Sequence, residues 1–292
     1  MKIRLLTILR NVWFNLTYEK LFLYGSLLLL LVLFLVWVVP EVMPVFLLGI
    51  LWFLFLVTVM LGHRNNHFIK LQSEANRSLN DIQYEQLAAL LQMQNLIRPR
   101  LPLPSMRGGA ASPDLLLALY REIVINRPSL VVECGAGVST IWIGYILEQL
   151  GKGKLISIEH DPTWAERVGK WVQQHQLNQT IEIVKSELKE VLVKDQVMRW
   201  YDLDPILHHL DHPIDFLFID GPVGVSDPKA RFPAIPLLQP YLSVSCIIML
   251  DDACRFGEQQ AVFAWEKDLG YEHEFVHNEK GLAILFPHND IR

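Results

Sequence analysis

The stretch Leu130-Val131-Val132-Glu133-Cys134-Gly135-Ala136-Gly137-Val138-Ser139-Thr140 decides the fold. Its apolar residues ending in an acid read as a buried strand. The G-x-G spacing reads as a tight turn with no side chains in the way, and Ser139-Thr140 as the start of a helix. Such a unit brings backbone close to a ligand and aims a helix N-terminus at it, which favours polar or anionic groups. A dinucleotide fingerprint G-x-G-x-x-G needs glycine at position 140; Thr140 stands there and disfavours a nicotinamide site.

Downstream, short apolar runs alternate with helical patterns. Strands are expected at Leu130–Glu133, Leu155–Glu159, Thr180–Val184, Phe216–Asp220 and Cys246–Leu250. Helices are expected over Ser139–Gln149, Pro162–His175, a stretch around Ala234–Leu238, and Arg255–Leu269. This alternation predicts a parallel sheet with helices on both faces, whose ligands bind beyond the carboxyl ends of the strands. Glu133, Glu159 and Asp220 fall at or near such ends, and Asp251-Asp252 follow the next one. Carboxylates are costly to bury without a use, so this set points to a site for amines, hydroxyls or a cation. Tyr271–His277 and Leu282–Phe286 flank Asn278-Glu279-Lys280-Gly281 and read as a terminal β-hairpin.

Upstream, Ser112-Pro113-Asp114 predicts a helix start that leads to Ile125 and stops at Asn126-Arg127-Pro128. Before it, Met106 to Ala111 reads as a flexible link, and Arg98-Pro99-Arg100-Leu101-Pro102 ends any earlier helix. Asn65–Ile97 has neither Gly nor Pro and carries Phe68, Ala75, Ile82, Ala89 and Leu96 at seven-residue spacing. That predicts a long helix, either packed on its own domain or paired with a second copy.

Leu21–Val39 and Met43–Gly62 are uncharged for 19 and 20 residues, each long enough to cross a bilayer. The turn Pro40-Glu41-Val42 between them predicts a transmembrane hairpin rather than one long helix. Lys2, Arg4, Arg10 and Lys20 before it and Arg64 and Lys70 after it predict both termini in the cytoplasm, at the inner membrane, and Glu41 outside. Residues 5–18 are expected to lie in the interface. The expected division is therefore 1–62 as anchor, 63–111 as helical connector and 112–292 as the α/β domain.

Of the net charge of −5, residues 1–62 carry +2 and the remainder −7, so no nucleic-acid partner is expected. Cys134, Cys246 and Cys254 show no C-x-x-C and read as thiols rather than a disulfide or zinc framework. His208, His209 and His212 lie in a helix-to-strand connection with no cysteine near, and are read as loop histidines.

Several ordered pieces carry a family resemblance: Ala-Ala-Ser-Pro-Asp at 110–114, Glu133-x-Gly-x-Gly-Val-Ser-Thr, Ser157-Ile-Glu-His-Asp, Trp200-Tyr201, Ile219-Asp-Gly-Pro and Leu250-Asp-Asp-Ala-Cys-Arg. From about Leu101 to Pro287 the chain resembles class I S-adenosylmethionine (SAM)-dependent methyltransferases, in particular bacterial membrane-anchored methyltransferase-domain proteins of glycan and cell-surface pathways. The resemblance implies a Rossmann-like sheet, parallel with a terminal antiparallel hairpin. It implies that Glu133, Gly135 and Gly137, with Ser139 and Thr140, line the methionine end of the cofactor. Glu159 would bind the ribose hydroxyls as a double acceptor, with His160, Ser186 and Glu187 near the adenine.

At the acidic end two readings stay open. Asp220, Asp251 and Asp252 hold a divalent cation such as magnesium that chelates the acceptor hydroxyl. Alternatively, Asp220 or Asp251 serves without metal as general base. Trp200, Tyr201, Arg231 and Arg255 are the candidate substrate contacts, Arg231 and Arg255 also being natural partners for the acids. The expected function is O-methylation of a glycan, lipid-linked or other small envelope precursor at the cytoplasmic membrane face. The alternative is a non-catalytic SAM-binding scaffold, a homodimer through residues 65–97.

Overall fold

The computed structural model describes residues 18–38, 43–223 and 227–288. The chain divides into two compact units, Met1–Ser78 and Leu79–Arg292.

In the first unit lie helix α1 (Tyr18–Val38) and the first part of α2, whose bounds are Met43–Leu96. Pro44–Leu96 is long and apolar enough to cross a membrane, and Leu23–Phe34 is a shorter apolar stretch in α1. The expected turn at Pro40-Glu41-Val42 and the interfacial lead-in up to residue 17 lie outside the described residues.

The second unit starts earlier than the expected boundary at 112. Gln86, Ala89, Met93 and Ile97 are buried, and the last three join the core. That spacing follows the helical period of 3.6 rather than the seven-residue one: Phe68 is exposed and of the expected seam only Ala89 is buried. The expected flexible link is tied down. Arg107 pairs with Glu279 at 2.8 Å and Ala110 O accepts from Lys280 Nζ at 2.9 Å.

The domain proper begins with α3 (Pro113–Asn126). Ser112 occupies its N-cap position, but its hydroxyl donates to Asp114 Oδ1, which itself accepts from Leu115 N. Asp114 Oδ2 also accepts from Gln86 Nε2 at 2.6 Å and Glu279 N at 2.8 Å, so one carboxylate joins α2, α3 and the C-terminal turn.

There follow β1 (Leu130–Cys134), α4 (Val138–Leu150), β2 (Lys154–Glu159), α5 (Pro162–Gln174) and β3 (Ile181–Lys185). A small antiparallel hairpin, β4 (Leu188–Val193) and β5 (Gln196–Tyr201), comes next, then the short α6 (Leu203–Leu207). β6 (Ile214–Ile219), the short α7 (Ala234–Leu238), β7 (Leu242–Asp251), α8 (Phe256–Leu269), β8 (Tyr271–Val276) and β9 (Leu282–Pro287) complete the chain. The main sheet runs β3-β2-β1-β6-β7-β9-β8, parallel through β7 and closed by the antiparallel β9-β8 pair.

Every residue of β1 is buried, as a central parallel strand covered on both faces requires. One face packs against α3, α4 and α5 through residues such as Leu119, Ile141 and Val168. The other packs against α7, α8 and the β5 end through Ile235, Trp265 and Trp200. The order reverses between β1 and β6, so the crevice at their carboxyl ends is where such a sheet binds ligands.

Candidate active site

The β1–α4 turn is shaped by its glycines, each for a different reason. Gly135 has φ +96°, and a Cβ there would lie 3.0 Å from Asp220 O, where the turn after β6 crosses. Gly221, on that crossing turn, is equally confined: a Cβ would come within 2.8 Å of Gly135 Cα and would collide with Tyr201 Oη. Gly137, by contrast, has extended backbone (φ −171°), and a Cβ would meet nothing nearer than Ser139 Oγ at 3.9 Å. Neither folding nor packing demands glycine at 137, so its bareness leaves open space in front of α4.

Glu133 does not line that space. Its carboxylate is buried and accepts from Ser139 Oγ (2.5 Å), Thr140 Oγ1 (2.5 Å) and Ser157 Oγ (2.6 Å). Thr140 Oγ1 in turn accepts from Gly137 N at 2.8 Å, so this acid and its hydroxyls order the glycine turn from beneath. Direct contact of Glu133, Ser139 and Thr140 side chains with a cofactor, implied by the resemblance, is corrected to this supporting role. From the other side Trp164, on α5, donates Nε1 to Ala136 O at 2.7 Å. Nothing in the local sequence announces that contact, because its partners lie on separate elements.

Burial lifts the Glu133 carboxyl to about 7, against the opposing pull of its hydroxyl donors. Folded chain therefore keeps this proton where unfolded chain has lost it. The contribution to stability falls as pH rises from about 4.5 to about 7 and is level beyond. Glu133→Gln is expected to remove about 3 kcal/mol of that pH dependence, read as a flatter melting temperature over the same window. An unchanged slope would contradict the assignment.

At the end of β2, Glu159 Oε1 accepts from the backbone N–H groups of His160 and Asp161, both at 2.8 Å. No hydrogen bond to Oε2 is found among the described residues, so half of this carboxylate is available to a ligand. The His160 ring lies 3.0 Å from Oε1 without hydrogen-bond alignment and stacks edge-on to Tyr201. Asp161 caps α5 by accepting from Thr163 N and Trp164 N. Ser186 is buried, its N–H donating to Glu159 O and its hydroxyl to Asp202 O, so it braces this corner rather than facing the crevice. The Glu187 side chain is exposed beside it.

Across the crevice, Asp220 follows β6, Asp251 ends β7 and Asp252 follows in the left-handed region (φ +61°). One oxygen from each lies within 4.8 Å of the others. Arg231 reaches into this group. Its Nη1 donates to Asp251 O at 2.7 Å; its Nη2 donates to Asp252 Oδ2 at 2.7 Å and to Asp220 Oδ1 at 3.0 Å. Arg255 adds a contact to Asp252 Oδ2 at 2.9 Å, and Lys280 Nζ lies 3.8 Å from Asp251 Oδ2. Burial, and then the neighbouring acids, hold the Asp220 carboxyl well above the usual range and raise that of Asp251; Arg231 pulls the other way at Asp220, and Lys280 and Arg231 do so at Asp251.

The candidate residues at this end differ in access. Asp251 is fully buried with neither oxygen hydrogen-bonded, so its expected role as a base fails for want of contact with the crevice. Asp220 keeps 17% side-chain exposure and is the reachable acid. Arg231 is buried and engaged with the acids, and Trp200 and Tyr201 are fully buried in the core, so these three are corrected from substrate contacts to framework. Arg255 is half-exposed and remains on the rim. His209 pairs with Glu182 at 2.9 Å and His208 with Asp204 O at 2.6 Å. Lys280 and Trp164 are functional-site neighbours that sequence reasoning missed.

Residues 132–253 match a family described as a methyltransferase domain. No curated protein matches the chain. Among solved structures the chain is similar to a Staphylococcus aureus protein provisionally assigned as a caffeoyl-CoA O-methyltransferase, at 15% identity and TM-score 0.49, covering 64% of this chain and 86% of that one. It is similar also to the O-methyltransferase TomG of Streptomyces achromogenes, involved in tomaymycin synthesis and solved with SAM (14% identity, TM-score 0.46, 70% and 89% covered). A third is an O-methyltransferase from Bacillus cereus solved with SAH (15% identity, TM-score 0.44, 69% and 91% covered).

Proposed function

We propose that the α/β domain, of which residues 132–253 match a methyltransferase domain family, is a class I SAM-dependent methyltransferase that methylates a hydroxyl on a small envelope precursor, glycan or lipid-linked, at the cytoplasmic face of a membrane. The observation that carries the cofactor reading is the free Oε2 of Glu159 beside the open space at Gly137. A carboxylate with one oxygen pinned and one free is a fixed acceptor for vicinal ribose hydroxyls.

The cofactor supplies a methyl group on a sulfonium, already a strong electrophile. What the chain adds is placement and a proton acceptor. Gly135 and Gly137 let the backbone approach closely, Glu133 and Trp164 fix the turn that carries them, and Glu159 orients the ribose. Asp220, reachable and held in place through one oxygen by Arg231, takes the proton from the acceptor hydroxyl. Its raised proton affinity suits that task, because a base of ordinary carboxylate strength holds a proton poorly at neutral pH.

Membrane attachment is supported by the apolar helix Pro44–Leu96 and by basic residues on both sides of the apolar segments. It would keep the domain beside lipid-linked acceptors. The reading is tested by incubating the detergent-solubilised full chain with methyl-labelled SAM and an envelope extract. Label is expected in a lipid- or glycan-containing fraction, stable to mild base as an ether, and lost with Asp220→Asn. Transfer unaffected by Asp220→Asn, or label confined to protein, would contradict it.

A further inference from the structure

We propose that Arg231 is the resident cation of the Asp220–Asp251–Asp252 cluster, and that the cluster takes no divalent ion while this arginine is in place. Three carboxylates with oxygens within 4.8 Å of one another are an arrangement that hard cations favour. Here one oxygen from each of two of these acids, Asp220 Oδ1 and Asp252 Oδ2, already shares Arg231 Nη2 at 3.0 and 2.7 Å.

The arginine is not a surface residue that has drifted in. Its side chain is 4% exposed, and the same guanidinium donates to Asp251 O and Asp220 O as well as to the two carboxylates. The two Nη groups of the planar fork serve these acceptors from fixed directions, whereas an ion would have to displace them and take this donor from both carbonyl groups. Arg255 on Asp252 and Lys280 nearest Asp251 add positive charge around the same acids, and a dication at the oxygens would sit against the buried Arg231 guanidinium. The donor set therefore fits an internal cation and does not fit a metal.

The inference concerns ion binding alone and stands or falls separately from methyl transfer. Full chain in detergent, stripped with a chelator, is titrated with Mn²⁺, following free ion by electron paramagnetic resonance. The unaltered chain is expected to bind no Mn²⁺ below millimolar concentrations. Arg231→Ala is expected to gain a site at least about tenfold tighter, and adding Asp252→Asn is expected to abolish it. Arg231→Gln serves in the same way should the alanine variant not fold. Micromolar Mn²⁺ binding by the unaltered chain, lost in Asp252→Asn, would overturn the proposal. So would folded Arg231 variants that bind Mn²⁺ no better than the unaltered chain.

Discussion

Arg231→Met is expected to lower the stability of the α/β domain by about 3–5 kcal/mol, the cost typical of removing one partner from a buried ion cluster. The side-chain volume is nearly kept, so the loss is electrostatic rather than a cavity. Asp252 would retain Arg255, but Asp220 would lose its cation and the carbonyls of Asp220 and Asp251 would lose a donor. The deficit carries a pH signature. Without Arg231 the carboxyl at 220 is pushed further up in the folded state, so the variant binds a proton that the unfolded chain has released. Its handicap is therefore greatest near neutrality and shrinks as pH falls. Urea unfolding at two pH values, followed by tryptophan fluorescence, checks both points. Adding Asp220→Asn should recover part of the loss, since a neutral amide costs less to bury unpaired.

The second large effect separates two glycines that look alike in sequence. Gly135→Val places a β-branched residue at φ +96° with its Cβ 3.0 Å from Asp220 O and 3.1 Å from Gly221 Cα, all backbone atoms that cannot step aside. Loss of SAM binding by about a hundredfold or more is expected, together with about 2–3 kcal/mol of stability. Gly137→Val should fold almost as well as the unaltered chain, because its backbone is extended and its Cβ meets only Ser139 Oγ at 3.9 Å. It should nonetheless bind SAM poorly, since the valine would enter the space assigned to the ligand. Equal binding by Gly137→Val and the unaltered chain would place the ligand elsewhere.

Much of the sheet was legible because its signals are local. β1, β2, β3, β6 and β7 each hold an expected apolar run, and the carboxylates at 159, 220 and 251 fall at or beside strand ends as expected. The β4–β5 hairpin was not legible. Its turn, Lys194-Asp195, adopts left-handed conformations at both residues (φ 47° and 63°) without the glycine or asparagine that normally marks such a turn.

Other misses share one cause: partners that meet only in the fold. Glu133 faces inward because Ser157, beside it in the β1–β2 register, and two hydroxyls of α4 converge on it. Arg231 is drawn to acids that lie 11 to 21 positions away, and no spacing rule joins them. The seven-residue pattern of 65–97 misled for a different reason. The domain takes Gln86, Ala89, Met93 and Ile97 along the helical stripe that its own surface requires.

The central claim is that the crevice between Gly137 and Glu159 binds SAM. Calorimetric titration of the detergent-solubilised full chain with SAM tests it most directly. One saturable site per chain is predicted, weakened about tenfold or more by Glu159→Ala, which removes charge-assisted acceptors. No binding by the unaltered chain, or the same affinity in Glu159→Ala, would contradict the account.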